Sequence, residues 1–153
     1  MKKYSTGFTA GTFDMFHVGH LNLLKRAKSM CDKLIVGVNS DLLVESYKNK
    51  SPLINQEERL EIVSAIKYVD DVKLMHNLDK VDAFKKYQFD VVFIGSDYKG
   101  SERYLKAEKE LEKNGVKLEF LDYTTHVSST ILSKRILENE MNRKFYNLDK
   151  ETY

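Results

Sequence analysis

The stretch STGFTAGTFDMFHVGHLNLLKRAKSMCDKLIVGV, Ser5 to Val38, sets two short apolar runs on either side of a helix-period segment. STGFTA and KLIVGV read as strands, the second continuous enough to be buried on both faces of a sheet. Between them HLNLLKRAKSM puts Leu21, Leu24 and Ala27 or Lys28 on neighbouring turns, so Leu21 and Leu24 can face that sheet. A strand, a helix and a strand in this order make a parallel pair joined by a crossover.

The same alternation continues down the chain. Three more apolar runs follow: DVKLM from Asp71, DVVFIG from Asp90 and VKLEFL from Val116. Helix-period segments separate them. NQEERLEIVSAIKYV opens on Asn55 as a cap and carries Leu60, Ile62, Val63 and Ile66 on one side. VDAFKKYQ, ERYLKAEKELEKNG and SSTILSKRILENEM complete the set, with Asn114-Gly115 as a helix stop. The pattern predicts a Rossmann-like three-layer α/β domain over residues 1–139, with a mainly parallel five-stranded sheet and helices on both faces. Residues 140–153 show no periodicity and read as a C-terminal extension. Pro52, the single proline, sits in the loop NKSPLIN and stiffens a crossover connection.

Composition narrows the function classes. The chain has 153 residues and 42% hydrophobic content, enough for one buried core and too much for disorder. No apolar run approaches the ~20 residues of a membrane helix, and no apolar block follows the lysines at the start, so neither membrane insertion nor a leader peptide is expected. A single cysteine, Cys31, allows no intrachain disulfide and fits a reducing cytoplasm. The formal net charge of +2 is too small for nucleic-acid binding by bulk electrostatics. Any anion site must be local.

The candidate for that site is GTFDMFHVGH, Gly11 to His20, which spends two of the chain's four histidines at a strand-to-helix junction. In an open parallel sheet, ligands sit beyond the carboxyl ends of the strands, near the reversal of strand order. His17 and His20 are three residues apart and share a face of the first helical turn. Backbone N–H groups at a helix start favour an anion, and two imidazoles beside them add hydrogen bonds or charge. Gly19 leaves no side chain between them, so a phosphate or base can approach the backbone. Thr12 and Asp14 add a hydroxyl and a carboxylate. On the residues alone, a chance pair at a helix cap, or a metal site of Asp14, His17 and His20, stays open. Catalytic zinc usually takes three protein ligands, and no other cluster is in view.

GTFDMFHVGH resembles the first signature of the cytidylyltransferase branch of the nucleotidyltransferase superfamily, whose hallmark is HxGH. The resemblance runs on through RAKSMCDKLIVGVNSD, the YKNK loop, QEERLEIVSAIKYVDDV and IGSDYKG to the SST helix start, roughly residues 7–137. The pattern is most similar to that of bacterial glycerol-phosphate cytidylyltransferases. The resemblance implies nucleotidyl transfer: a substrate phosphate attacks the α-phosphorus of a nucleoside triphosphate, and pyrophosphate leaves. CTP and a small polyol phosphate, glycerol phosphate first, are the implied substrates, for teichoic acid or capsular polysaccharide synthesis. Mg2+ bound with the nucleotide is the implied cofactor, and a homodimer the implied assembly. Two alternatives stay open: an adenylyltransferase acting on a sugar phosphate, and a regulatory module that binds nucleotide without turnover.

Residue by residue, the resemblance makes His17 and His20 stabilisers of charge at the reacting phosphorus, with Lys48 beside them as a catalytic and substrate-binding lysine. Thr12, Phe13, Gly19 and Lys50 become nucleotide contacts, and Asp14 and Arg59 supporting residues, Arg59 through an ion pair. Lys48 and Lys50 also make independent sense, because gathered phosphates need mobile positive charge. Lys80 falls near a family substrate lysine. Asp97, in GSDYKG, is a candidate for base or substrate binding, or simply part of a turn, and Tyr98 and Tyr104 read as packing or rim residues. The hydroxyls of Ser128, Ser129 and Thr130 stand at a helix start, where they can meet triphosphate oxygens. Here the chain departs from the family. Where relatives commonly read RTEGIST it reads YTTHVSST, so Tyr123 replaces an arginine and His126 a glycine. A tyrosine offers one hydrogen bond and no charge. Lys99, Arg103 or His126 are the candidates to compensate. His76 has no motif around it and reads as structural or exposed.

Overall fold

The computed structural model describes residues 2–95 and 101–151. Asp97, Tyr98 and Lys99 lie outside them, as does the side chain of Arg103. The elements follow in the order β1 (Tyr4–Gly11), α1 (Val18–Met30), β2 (Cys31–Asn39), α2 (Asp41–Lys48), α3 (Gln56–Ser64), β3 (Asp71–Met75), α4 (Lys80–Tyr87), β4 (Val91–Gly95), α5 (Glu102–Lys113), β5 (Lys117–Leu121) and α6 (Ser129–Glu151). The five strands form one sheet in the order β3-β2-β1-β4-β5. Every pairing is parallel. The Rossmann-like α/β expectation holds.

Alternation along the central strands divides the core into two layers. Leu34, Val36 and Val38 of β2 join Val91 and Phe93 of β4 under Leu24 and Ala27 of α1 and Val63 of α3. Ile35, Val92 and Ile94 point the other way, with Phe8, toward Ala83 of α4 and Leu111 of α5. Both faces are therefore covered, which is why these strands read as unbroken apolar runs. The chain moves outward from β1 through β2 to β3, then returns to lay β4 against the other side of β1. The strand order reverses at β1, and the loop GTFDMFHVGH leaves its carboxyl end.

Three local readings change. The segment before YKNK is a helix, α2, rather than loop, so Lys48 ends a helix and Asn49 closes it in the left-handed region, at φ 54°. Helix α3 stops at Ser64, and residues 66–69 continue as hydrogen-bonded turns. Val63 is buried and Leu60 and Ile66 pack against the core, while Ile62 is exposed. The segment 140–151, read as aperiodic, continues α6 without a break. Asn55 and Gly115 behave as expected: Asn55 accepts the Glu58 N–H at 2.9 Å, and Gly115, at φ 78°, turns the chain out of α5. Among the described residues no helix is long and apolar enough to cross a membrane.

Candidate active site

The site is built around a turn that ordinary residues must strain to make. Phe13 and Met15 have φ of 55° and 48°, a region that side chains bearing a Cβ seldom enter. Each such residue costs roughly 1–3 kcal/mol and persists only where its surroundings hold it. Asp14 supplies the hold. One carboxylate oxygen accepts the Leu53 N–H at 2.8 Å, and the other accepts the N–H groups of Ile54 at 2.9 Å and Met15 at 3.1 Å. Its carbonyl accepts the Ser129 hydroxyl at 2.8 Å, which ties the start of α6 to the same turn.

Arg59 fixes the adjoining strand ends. Its side chain is fully buried. Nε donates to the Ile54 carbonyl at 2.8 Å, and one terminal nitrogen donates to the carbonyls of Thr12 at 2.6 Å and Asn39 at 2.7 Å. The other meets the Asp41 carboxylate at 2.7 Å. The expected ion pair is present, and the same guanidinium also clamps β1 to β2 just where the site begins.

On this frame the two histidines stack, ring centres 3.9 Å apart and planes 26° from parallel. His17 caps α1: its Nδ1 accepts the Gly19 N–H at 3.0 Å. The His17 N–H in turn donates to Nδ1 of His20 at 3.2 Å. Both Nδ1 atoms act as acceptors, so a neutral ring carries its proton on Nε2 in each case. Burial first, then the neighbouring His17, push His20 down from 6.5 to about 4; the Asp14 carboxylate opposes this and the Lys48 ammonium adds to it. Burial also lowers His17. At neutral pH the pair therefore presents two uncharged N–H donors. Phe13 and Phe16 pack beside His20, at 5.4 and 5.2 Å between ring centres.

Gly19 has a steric role beyond the one read from sequence. A Cβ there would lie 2.8 Å from Cε1 of His17. The missing side chain makes room for the imidazole.

A cavity of about 460 Å³ opens at the carboxyl ends of β1, β2 and β4. It gathers Thr12, Phe13, Asp14, His20, Lys48, Lys80, Tyr123 and Ser129 from the candidates. His17 reaches this group through its stack on His20. Phe13 is 4% exposed and its ring belongs to the core, so its backbone is what it offers a ligand. Gly95 permits the approach of Tyr123, whose hydroxyl comes 2.1 Å from where a Gly95 Cβ would stand. Ser128 spends its hydroxyl as the cap of α6, accepting the Ile131 N–H at 3.0 Å. Lys50, Thr130 and His126 are exposed and do not line the cavity, and His76 is exposed at the end of β3. Sequence reasoning missed Asn39 and Tyr47, both in the cavity wall. The available signal for Asn39 was a polar residue closing an otherwise apolar strand.

Among the described residues no three His, Cys, Asp or Glu side chains cluster as metal ligands. The carboxylate of Asp14 is taken by backbone N–H groups, and the Nδ1 atoms of both histidines likewise. This arrangement does not fit a protein-caged metal. It fits a group that accepts hydrogen bonds.

A family model described as cytidylyltransferase-like matches residues 8–135. An FAD synthase from Pyrococcus abyssi is 38% identical over 112 residues, covering 72% of this chain and 74% of that protein. The bifunctional protein HldE of Nitrobacter winogradskyi is 33% identical over 130 residues, 84% of this chain. The chain spans only 26% of that HldE, about a quarter of its length. Among solved structures, a lipopolysaccharide core biosynthesis protein from Thermoplasma volcanium superposes with a TM-score of 0.66 at 27% identity, covering 81% of this chain and 99% of that one.

Proposed function

The chain belongs to the cytidylyltransferase-like family of nucleotidyltransferases, and from that premise we propose that it transfers a nucleotidyl group from a nucleoside triphosphate to a small phosphorylated polyol. An acceptor phosphate oxygen forms the new bond to the α-phosphorus. The bond from that phosphorus to the bridging oxygen breaks, and pyrophosphate leaves with the electron pair. One observation carries the reading: two stacked, neutral imidazoles whose Nδ1 atoms are engaged, one of them, His20, lining a cleft at the reversal of strand order. Fixed donors of this kind stabilise charge as it builds on phosphorus oxygens, and positioning does most of the remaining work. Lys48 and Lys80 supply positive charge at the cavity wall. Magnesium, held by the triphosphate rather than by a cluster of protein ligands, would supply charge to neutralise the pyrophosphate.

Two donors divide the proposal. CTP, with glycerol phosphate as acceptor, is what the signature motifs imply; the product, CDP-glycerol, would feed teichoic acid or capsular polysaccharide synthesis. ATP as donor, with a sugar phosphate as acceptor, is the alternative; its nucleotide, though not its acceptor, is favoured by a relative of similar length named for making FAD, a product that contains an adenylyl group. The deciding experiment crosses CTP and ATP with glycerol, choline, ethanolamine and sugar phosphates and measures pyrophosphate release. Turnover with a CTP pair supports the first reading and turnover with an ATP pair the second. Nucleotide binding with no turnover anywhere overturns both in favour of a regulatory module.

The assembly proposed is a dimer through α6. Leu137, Met141 and Phe145, four residues apart, are 66%, 59% and 64% exposed. An antiparallel pair centred on Met141 sets Leu137 against Phe145 and Glu138 against Lys144, so apolar residues meet apolar ones and opposite charges pair. A dimer mass for the protein and a monomer mass for Met141→Glu are expected by light scattering. A monomeric wild-type chain overturns this assembly.

A further inference from the structure

One group in the cleft has no part in the reaction as proposed. Tyr47 lies in the last turn of α2, next to Lys48. Its hydroxyl accepts from the Asn39 side-chain amide at 3.1 Å. The Thr12 hydroxyl lies at the same distance on another side. Since Tyr47 Oη accepts from Asn39, its own proton is available to Thr12. Thr12 and Asn39 are themselves locked together, because one nitrogen of buried Arg59 donates to both their carbonyls. Tyr47 thus grips a rigid point of the frame.

Helix α2 needs such a grip. It has eight residues and one buried side chain, Val44. A helix this short is marginal without tertiary contacts. Its final residue, Lys48, carries the charge the proposed reaction requires, on a flexible four-carbon stem. The Lys48 ammonium also sits 5.7 Å from the centre of the Tyr47 ring, within range of attraction to its face.

We infer that Tyr47 is a positioning residue for Lys48: its hydroxyl moors the end of α2 to Thr12 and Asn39, and so holds the lysine at the cleft. The inference rests on the nucleotidyl-transfer reading for the role of Lys48, while the mooring itself is independent of chemistry.

The test compares Tyr47→Phe, Lys48→Ala and the double variant with whichever substrate pair turns over. Tyr47→Phe is expected to lower kcat/KM roughly three- to tenfold, the scale of one net hydrogen bond. In the Lys48→Ala background it is expected to do nothing further, because the residue acts through the lysine. Equal losses in both backgrounds overturn the inference, as does full activity of Tyr47→Phe. Amide hydrogen exchange reads the mooring without turnover. Protection of residues 45–49 is expected to fall in Tyr47→Phe while β1 and β2 keep theirs, and unchanged protection there overturns the mooring. A wild-type chain that turns over no pair sinks the proposed function instead, a result the exchange measurement does not share.

Discussion

The guanidinium of Arg59 and the carboxylate of Asp41 meet at 2.7 Å, the arginine fully buried and the aspartate side chain about one-third exposed. The pair spans the start of α2 and the middle of α3, but its larger effect comes from what else Arg59 holds. Three backbone carbonyls accept from it. Replacing Arg59 with methionine strands those acceptors and leaves Asp41 unpaired. A loss of about 3–5 kcal/mol in unfolding free energy is expected, the range for breaking a buried pair on one side. Asp41→Asn, at the more solvated end, should cost clearly less. Urea denaturation of both variants checks the order.

Removing either imidazole donor should strike the chemical step. His17→Ala and His20→Ala are each expected to lower kcat by about a hundredfold or more, the scale of losing a fixed donor to a developing oxyanion. A change confined to KM would make the residue a binding group only.

The depressed His20 also fixes a direction with pH. Its value in the folded chain, about 4, lies below the ordinary 6.5. The unfolded chain binds the proton more readily between those values. The stability this group contributes is therefore complete above pH 6.5 and is lost as pH falls toward 4. Denaturation midpoints measured from pH 7.5 to 4.5 should fall, and the fall should shrink in His20→Gln. The kcat profile should show no titration near 6.5 from this ring, because it stays neutral there.

Gly19→Ala separates geometry from stability. Alanine is about 1 kcal/mol better than glycine within a helix, yet its Cβ would stand 2.8 Å from the His17 ring. The ring has to move by several tenths of an ångström or more. The displaced ring also gives up its cap on the Gly19 N–H, which offsets the gain in helix propensity, so the melting temperature is expected to change little while kcat falls at least ~10-fold, since small misplacements of reacting groups cost up to ~100-fold.

Tyr123→Arg tests the departure from the family pattern. Tyr123 lines the cavity and folds over Gly95. An arginine there adds a charged donor, and triphosphate is expected to bind about tenfold tighter by calorimetry at low salt, near 1.4 kcal/mol. No change would mean that the side chain at this position does not reach the phosphates.

The fold was legible because its signal is physical and repeated. Strands covered on both faces must be apolar throughout, and Leu34 to Val38 or Val91 to Ile94 can hardly be read otherwise. What escaped reading lacked such a signal. Helix α2 is only eight residues long and buries Val44 alone, too short a run for DLLVESYK to stand out, although Ser40 with Asp41 marks a helix start: the Ser40 hydroxyl accepts the Leu43 N–H at 3.1 Å. The outer part of α6 escaped because its few apolar residues, Met141 and Phe145 among them, face away from the core and are set among polar ones. No glycine or asparagine at 13 or 15 announces the left-handed turn, which is imposed from a distance by residues 53, 54 and 129. Arg59 was read as half of an ion pair; its complete burial depends on carbonyls 20 and 47 residues away.

The place of β1 in the sheet governs how this chain must acquire its shape. β1 pairs early with β2, Thr6 with Lys33, but its other edge waits for Val91, partner of Gly7. During synthesis β1 is thus made well before its second neighbour, with one flank open until the roughly eighty residues between Gly7 and Val91 have followed it. Closing so long a loop is entropically slow, and through that interval the GTFDMF turn has half a sheet to lean on.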